Sequence, residues 1–322
     1  MKKILFFVSL YWELHWLHNV IEAMGGEVYT ENEECKEYCR KYNFRLATNK
    51  ESYQIVVVTN VHLGQQNQVV KHFLSTGGKA IILQHGWDPA ISLYDNFWNE
   101  DVGAFSYYLV GCEQDYEWLT SKFGKDRIIM TGIPKFDDIY RIKNEDIDLS
   151  PIYEEVGTSK FYLVNAPTDV FSAELHRYYC NPLFEHCPYK VVYKTHPGFN
   201  MTPAYPDITV SPDRYVMVND NHFDRDYVYR LIKASQGVVI VESLLILEAS
   251  LLGKPAIFWG HELLPRDIYN KPENVNQIHR LPIEMSSGFD HPEYKPMQAI
   301  MAGKYLFDGL NTHRVVTFLN SI

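Results

Sequence analysis

The stretch GVVIVESLLILEASLLGKPAIFWG, residues 237–260, decides the fold. Its opening run of apolar, largely β-branched residues reads as a strand buried on both faces of a parallel sheet. Ser243 is a good N-cap for a helix running to about Leu252. Gly253 stands where a left-handed cap ends a helix, Pro255 cannot extend one, and a second apolar strand follows. Working outward, the same alternation recurs. KILFFVSL (3–10), YQIVVVTN (53–60), KAIILQ (79–84), YYLVG (107–111) and RIIMTG (127–132) read as buried strands, with helix-length segments at 65–76 and 114–123. KFYLVNAP (160–167), YKVVYKTHPG (189–198) and RYVMVND (214–220) then restart the pattern. The predicted class is α/β: two Rossmann-like, doubly wound parallel-sheet domains facing a cleft.

Between the two series lies RIKNEDIDLSPIYEEVGTSK (141–160), charged and carrying Pro151 and Gly157. It divides the chain into a first domain at 1–145, a linker at 146–158 and a second domain at 159–322. The last helix is expected to pack back on the first domain.

Composition narrows the classes of function. A 322-residue chain that is 46% apolar has ample material for two cores, and a formal charge of −10 argues against long nucleic acid or an anionic membrane as the main partner. No apolar run approaches the roughly 18–20 residues needed to span a bilayer. MKKILFFVSLYWELHW, at the start, reads as a first strand rather than a signal peptide, since Trp12, Glu13 and His15 interrupt it. The five cysteines (Cys35, Cys39, Cys112, Cys180, Cys187) are unevenly spaced, which fits reduced thiols and a cytoplasmic location. Cys35 and Cys39 have no matching second pair for zinc, and His15 with His18 lack a third ligand. The aspartate pairs at 146–148 and 224–226 do not follow a buried strand, so no metal is expected. A G-x-G-x-x-G after the first strand is missing, which argues against a dinucleotide oxidoreductase, and no serine nucleophile elbow is present.

Open α/β sheets bind ligands beyond the carboxyl ends of their strands. That position holds Asn60, His85, Gly132, Asn165, His196, Asn219 and Glu242. In the second half, Lys194 and His196 are two apart on an extended chain and can donate to a diphosphate. Ser243 opens the helix whose free N–H groups can seat phosphate, and Glu248 in that helix can accept from ribose hydroxyls. In the first half, QHGWD places His85 and Asp88 after a strand. Histidine has the near-neutral pKa a general base needs. Trp12 and His15, early after the first strand, are expected on the acceptor side.

Four stretches carry a family resemblance. TGIPKFDDIY (131–140), QHGWD (84–88), YKTHPG (193–198) and VESLLILEASLLGKP (241–255) resemble the CDP-glycerol glycerophosphotransferases and related capsule and teichoic-acid polysaccharide transferases. Lys135 stands where that group usually has arginine, Leu244 replaces its second serine, and Glu248 stands for its aspartate. The closing YLFDGLNTHRVVTFL is similar to the group's Asp-Gly…Arg ending. The resemblance implies the GT-B fold and a metal-independent glycosyl or polyol-phosphate transferase. The donor would be a nucleotide diphosphate bound as substrate, with no further cofactor. Lys194, Glu242, Ser243, Glu248, Gly132 and Lys135 would hold it, His196 would stabilise the departing diphosphate, and His85 would deprotonate the acceptor. The expected acceptor is a carbohydrate or lipid-linked glycan in surface glycan synthesis, met without stable membrane insertion. Three alternatives remain: a nucleotide-sugar epimerase of the same architecture, a phage-type glycosyltransferase acting on a DNA base, and a nucleotide-sugar-binding protein without turnover. For DNA the best cationic rim is Lys122, Lys125 and Arg127.

Overall fold

A computed structural model of the chain describes residues 3–59, 64–84, 105–165, 184, 187–194, 211–218, 224–240, 245–258 and 305–322. The chain divides into two compact units, Met1–Asp138 with Lys304–Ile322, and Ile139–Gly303.

The first unit holds a seven-stranded sheet in the order β3-β2-β1-β4-β5-β6-β7, parallel throughout. Its strands are β1 (Ile4–Phe7), β2 (Glu27–Tyr29), β3 (Arg45–Leu46), β4 (Ile55–Val58), β5 (Lys79–Leu83), β6 (Tyr107–Val110) and β7 (Ile128–Met130). All four residues of β4, Ile-Val-Val-Val, are buried, as a central parallel strand covered on both faces requires. Helices α1 (Tyr11–Met24), α2 (Glu33–Lys41), α3 (Gly64–Ser75) and α4 (Glu113–Phe123) belong to this unit, and α5 (Lys135–Asn144) begins in it. On one side of the sheet Leu5, Phe7, Val56, Val58, Phe73, Ile82 and Tyr108 form one apolar cluster with Leu119 of α4. Each such side chain contributes about 1.5–3 kcal/mol of burial free energy.

The second unit repeats the plan in a five-stranded parallel sheet, ordered β10-β9-β8-β11-β12. Its strands are β8 (Phe161–Asn165), β9 (Lys190–Lys194), β10 (Tyr215–Val218), β11 (Gly237–Ile240) and β12 (Ala256–Phe258). Helix α6 (Ser150–Val156) precedes them in the chain, and α7 (Tyr227–Ala234) and α8 (Leu245–Leu251) lie between them. In both sheets the strand order runs outward one way and then reverses, at β1/β4 in the first and β8/β11 in the second. Those reversals are the topological switch points of doubly wound folds.

Each buried strand read from the sequence is present, and two short ones, β2 and β3, were not legible. The boundary differs from the expected one. The division falls at Asp138, inside α5, and the stretch 146–158 belongs to the second unit rather than linking two. It contains α6, which buries Ile152 and Val156 four residues apart while Glu154 and Glu155 face solvent. With only two apolar anchors, the helix has the composition of a linker. The last helix, α9 (Asn311–Ser321), packs on α1 within the first unit, burying Val315 and Leu319.

Candidate functional site

In the second unit, Lys194 is the last residue of β9, in register with Asn165 at the end of β8 and Val218 at the end of β10. It is 1% exposed. An ammonium so buried persists only where polar or anionic groups meet it. Glu248 of α8 is 6% exposed, so it faces the interior and not solvent. Gly253 closes α8 at φ +73°, with Lys254 N–H donating to Ala249 O at 2.8 Å, the left-handed cap read from Gly-Lys-Pro. Lys254 then donates through Nζ to Ser235 O at 2.8 Å, and burial lowers its pKa from the ordinary lysine value. His196, Glu242 and Ser243 lie outside the described residues, as do Asn219 and Cys180.

In the first unit the switch point is built around a group the sequence reading passed over. Glu13, in the first turn of α1, is fully buried. Its Oε2 accepts from the backbone N–H of Ser9 at 2.7 Å and of Leu10 at 3.0 Å, the residues where β1 turns into α1. Its Oε1 accepts from Thr59 Oγ1 at 3.3 Å, just past β4, and from Gln66 Nε2 of α3. Burial raises its carboxyl pKa against the lowering effect of these four donors. The signal available in the sequence was a carboxylate at the third position of a helix that follows a buried strand directly.

Trp12 and His15 are half-buried on α1. Trp12 meets Tyr11 edge-on at 5.4 Å, and His15 packs on Tyr38 at 5.2 Å. His18, once paired with His15 as a metal candidate, is buried: its Nδ1 lies 2.9 Å from the Tyr38 hydroxyl and its ring is 4.6 Å from that of Tyr42. Burial pushes the Cys35 and Cys39 thiols up to about 12. Among the described residues no three His, Cys, Asp or Glu side chains gather as a metal site.

At the carboxyl ends of β5 and β6, Gln84 donates through Nε2 to Asp115 Oδ2 at 2.5 Å and accepts from Gly111 N–H at 2.6 Å. Asp115 is 3% exposed, and burial pushes its carboxyl up to about 6 despite hydrogen bonds from Cys112 and Gln84. The next residue after Gln84, His85, lies outside the described residues, as does Asp88.

Gly132 and Lys135 belong to the first unit, not to the one that carries Lys194 and Glu248. Gly132 has φ +79°, and a Cβ there would lie 1.9 Å from Asn311 Oδ1 at the start of α9. Asn311 donates through Nδ2 to Ile133 O and Leu306 O, at 3.2 and 3.0 Å. Asp137 accepts from the N–H groups of Asn311 and Thr312, at 3.0 and 2.7 Å. The Thr-Gly-Ile-Pro stretch thus holds the last helix. Lys135 is buried, its Nζ 6.0 Å from the centre of the Trp16 ring. The rim considered for DNA is partly consumed: Arg127 donates to Phe105 O and stacks on Tyr108, while Lys122 lies over Trp118.

No protein-family model matches the chain, and no curated protein matches its sequence. Solved structures do match. A UDP-GlcNAc 2-epimerase from Neisseria meningitidis bound to UDP-GlcNAc aligns at TM-score 0.74 and 15% identity, over 99% of this chain and 100% of that one. The S. aureus protein MnaA with UDP aligns at TM-score 0.68 and 14% identity, over 100% and 98%. The wall teichoic acid polymerase TagF aligns at TM-score 0.65 and 13% identity, over 99% and 88%. At such identities the likeness establishes the fold. Among the described residues no helix is long and apolar enough to cross a membrane.

Proposed function

We propose that this chain, which has the GT-B fold of two Rossmann-like domains, acts on a nucleoside-diphosphate sugar, breaking the bond between the sugar and its diphosphate. The observation that carries the reading is Lys194, a cation 1% exposed at the carboxyl end of β9, where a doubly wound sheet receives its ligand. Lys194 and His196 neutralise charge on the leaving diphosphate, Ser243 and Glu242, which precede α8 in the sequence, help to hold it, and Glu248 accepts from the ribose. The nucleotide sugar is the substrate, and no metal or further cofactor takes part.

The likeness to 2-epimerases reverses the order in which the sequence ranked two reactions. Epimerisation comes first. The proton on C2 of an intact pyranose is not acidic, and it becomes removable as the anomeric C–O bond to the diphosphate breaks. An epimerase therefore needs the same leaving-group stabilisation as a transferase, a base that takes the C2 proton, and a proton delivered to the opposite face of C2 as the diphosphate adds back to C1. His85 is that base, and Asp88, Trp12 and His15 serve the sugar on the first unit. In D2O the protein should convert UDP-GlcNAc to its C2 epimer with deuterium at C2, seen by proton NMR. A nucleotide sugar that neither changes nor binds would refute the proposal.

Group transfer is the second reading, favoured by the four stretches resembling polysaccharide transferases and by the likeness to TagF. Here His85 takes the proton of an acceptor hydroxyl; the resemblance alone assigns Gly132 and Lys135 to donor binding, and the bonds of the Thr-Gly-Ile-Pro stretch to Asn311 favour a structural role for Gly132. Release of free nucleotide that depends on an added glycan acceptor, without deuterium at C2, would select transfer.

A further inference from the structure

At the amino ends of its strands the first unit holds a cavity of about 350 Å³. This is the opposite end of the sheet from the carboxyl ends, where doubly wound folds take their ligands, and the proposed function makes no use of it. Its size falls within the roughly 300–1,000 Å³ of small-molecule sites. The cavity follows from the turn after α1. Gly25, at φ +56°, ends the helix with its N–H on Glu22 O at 3.1 Å, and the Gly26 N–H donates to Ile21 O at 2.9 Å. A Cβ on Gly26 would lie 2.4 Å from the Phe6 ring, so the ring packs against the turn. Two residues without side chains thus leave open a space whose floor is the hydrocarbon of Ile4, Phe6, Met24 and Leu319.

Charge of both signs surrounds this floor. The strands β1, β2 and β3 begin side by side and bring Lys3, Glu27 and Arg45 to the lining. Glu27 is held in place: its Oε2 accepts from the Tyr53 hydroxyl at 2.5 Å, and Arg45 Nη1 lies 4.0 Å from its Oε1. Burial, with the bond to Glu27, pushes the Tyr53 phenol up to about 12, so it stays protonated and keeps donating. A carboxylate oxygen has more than one lone pair, and Oε1 keeps room for a further donor. The last turn of α1 has no basic residue, and its carbonyls carry partial negative charge. Arg45 is anchored at the rim by donating through Nη2 to Gly25 O. Lys3 is exposed, and no ion pair to it forms among the described residues.

We propose that this cavity binds a free amino acid with an apolar side chain. Lys3 and Arg45 take its carboxylate, Glu27 and the carbonyl end of α1 take its ammonium, and the hydrocarbon floor takes its side chain. A simple carboxylate would set an anion beside Glu27 with nothing between them, and a simple amine would leave the two cations unanswered. A zwitterion on an apolar stem meets each part of the lining with its complement.

The test titrates the full chain with L-leucine, 4-methylpentanoate and 3-methylbutylamine, following contact by ligand-observed NMR and affinity by calorimetry. The second probe lacks the ammonium of leucine and the third lacks its carboxylate. Leucine should bind, and each truncated probe should bind roughly threefold to fivefold more weakly, the scale of one exposed ion pair. Lys3→Met and Glu27→Gln should each weaken leucine by a similar factor. Lys3 is exposed, and a glutamine at 27 still accepts from Tyr53, so thermal melting of both variants should match the parent. Neither readout needs turnover of UDP-GlcNAc. A truncated probe that binds as tightly as leucine, or leucine binding that is unchanged in the Lys3→Met/Glu27→Gln double variant, overturns the proposal. So does the lack of saturable leucine binding up to ~10 mM.

Discussion

Replacing Gly132 with alanine tests whether the Thr-Gly-Ile-Pro segment holds a helix or a ligand. Two costs follow from the structure. At φ +79° an alanine occupies left-handed backbone, worth roughly 1–2 kcal/mol. Its Cβ would also stand 1.9 Å from Asn311 Oδ1 and 2.4 Å from Cγ, so the amide must move. Moving it breaks the bonds to Ile133 O and Leu306 O, at about 1 kcal/mol each. The total is roughly 3–4 kcal/mol, and at about 2–4 °C per kcal/mol the first unit should melt some 10 °C lower. Thermal unfolding by circular dichroism measures this, and a double-mutant cycle isolates the clash. Asn311→Ala alone should cost about 2 kcal/mol, while in the Gly132→Ala background it should cost clearly less, because the obstacle is gone. UDP affinity should be the same in all four proteins. Strict additivity, or a Gly132→Ala protein of parental stability with weakened UDP binding, would refute the clasp and return Gly132 to the donor site.

Asp115→Asn should stabilise the protein at pH 7.5. The folded carboxyl titrates near 6 against an ordinary value of 3.8, so its ionised form opposes folding above pH 6 by as much as roughly 3 kcal/mol. The advantage of the variant should shrink as pH falls through 6 and vanish near pH 4; melting curves in which it stays constant with pH would contradict this. Glu13→Ala leaves the donors of Ser9, Leu10, Thr59 and Gln66 without their common acceptor, and a loss of about 3–5 kcal/mol in a urea titration is expected; a loss under 1 kcal/mol would show that the four bonds are not jointly needed. Lys194→Ala should remove the stabilisation a nucleoside diphosphate provides, about 2.7 kcal/mol at a hundredfold excess over its Kd, and a full thermal shift in the variant would dismiss Lys194 as a ligand contact. On the proposed function, which sets protein cations at the diphosphate, turnover should survive EDTA within about twofold; rescue of a chelated enzyme by manganese would contradict that.

Much of the fold was legible because parallel strands buried on both faces leave unbroken apolar runs such as Ile55–Val58 and residues 191–193. The strands β2 and β3 left no such trace: they are three and two residues long, and Arg45 and Leu46 are exposed at the sheet's edge. Helix α6 was hidden by its charge, since two buried residues in seven resemble a linker. Lys194 and Glu248 stood out because charged residues beside buried runs are rare. Glu13 and Asp115 did not, because an acid near the start of a helix is what any exposed helix shows. Their burial depends on Thr59 and Gln66, and on Gln84, which are distant in sequence. The Thr-Gly-Ile-Pro segment was legible as a motif while its partner, Asn311, lay far along the chain.

The position of Glu13 also governs what the first unit can receive. In doubly wound proteins the N–H groups where the first strand passes into the first helix are free to grip phosphate. Here a tethered carboxylate already occupies two of them, at the dissociation cost of a group that cannot diffuse away. A phosphate brought to that turn would find both donors already bonded to the carboxylate. A single side chain at the third position of α1 therefore takes up two N–H groups that a phosphate would otherwise use, and leaves the turn from β1 into α1 without its usual anion seat.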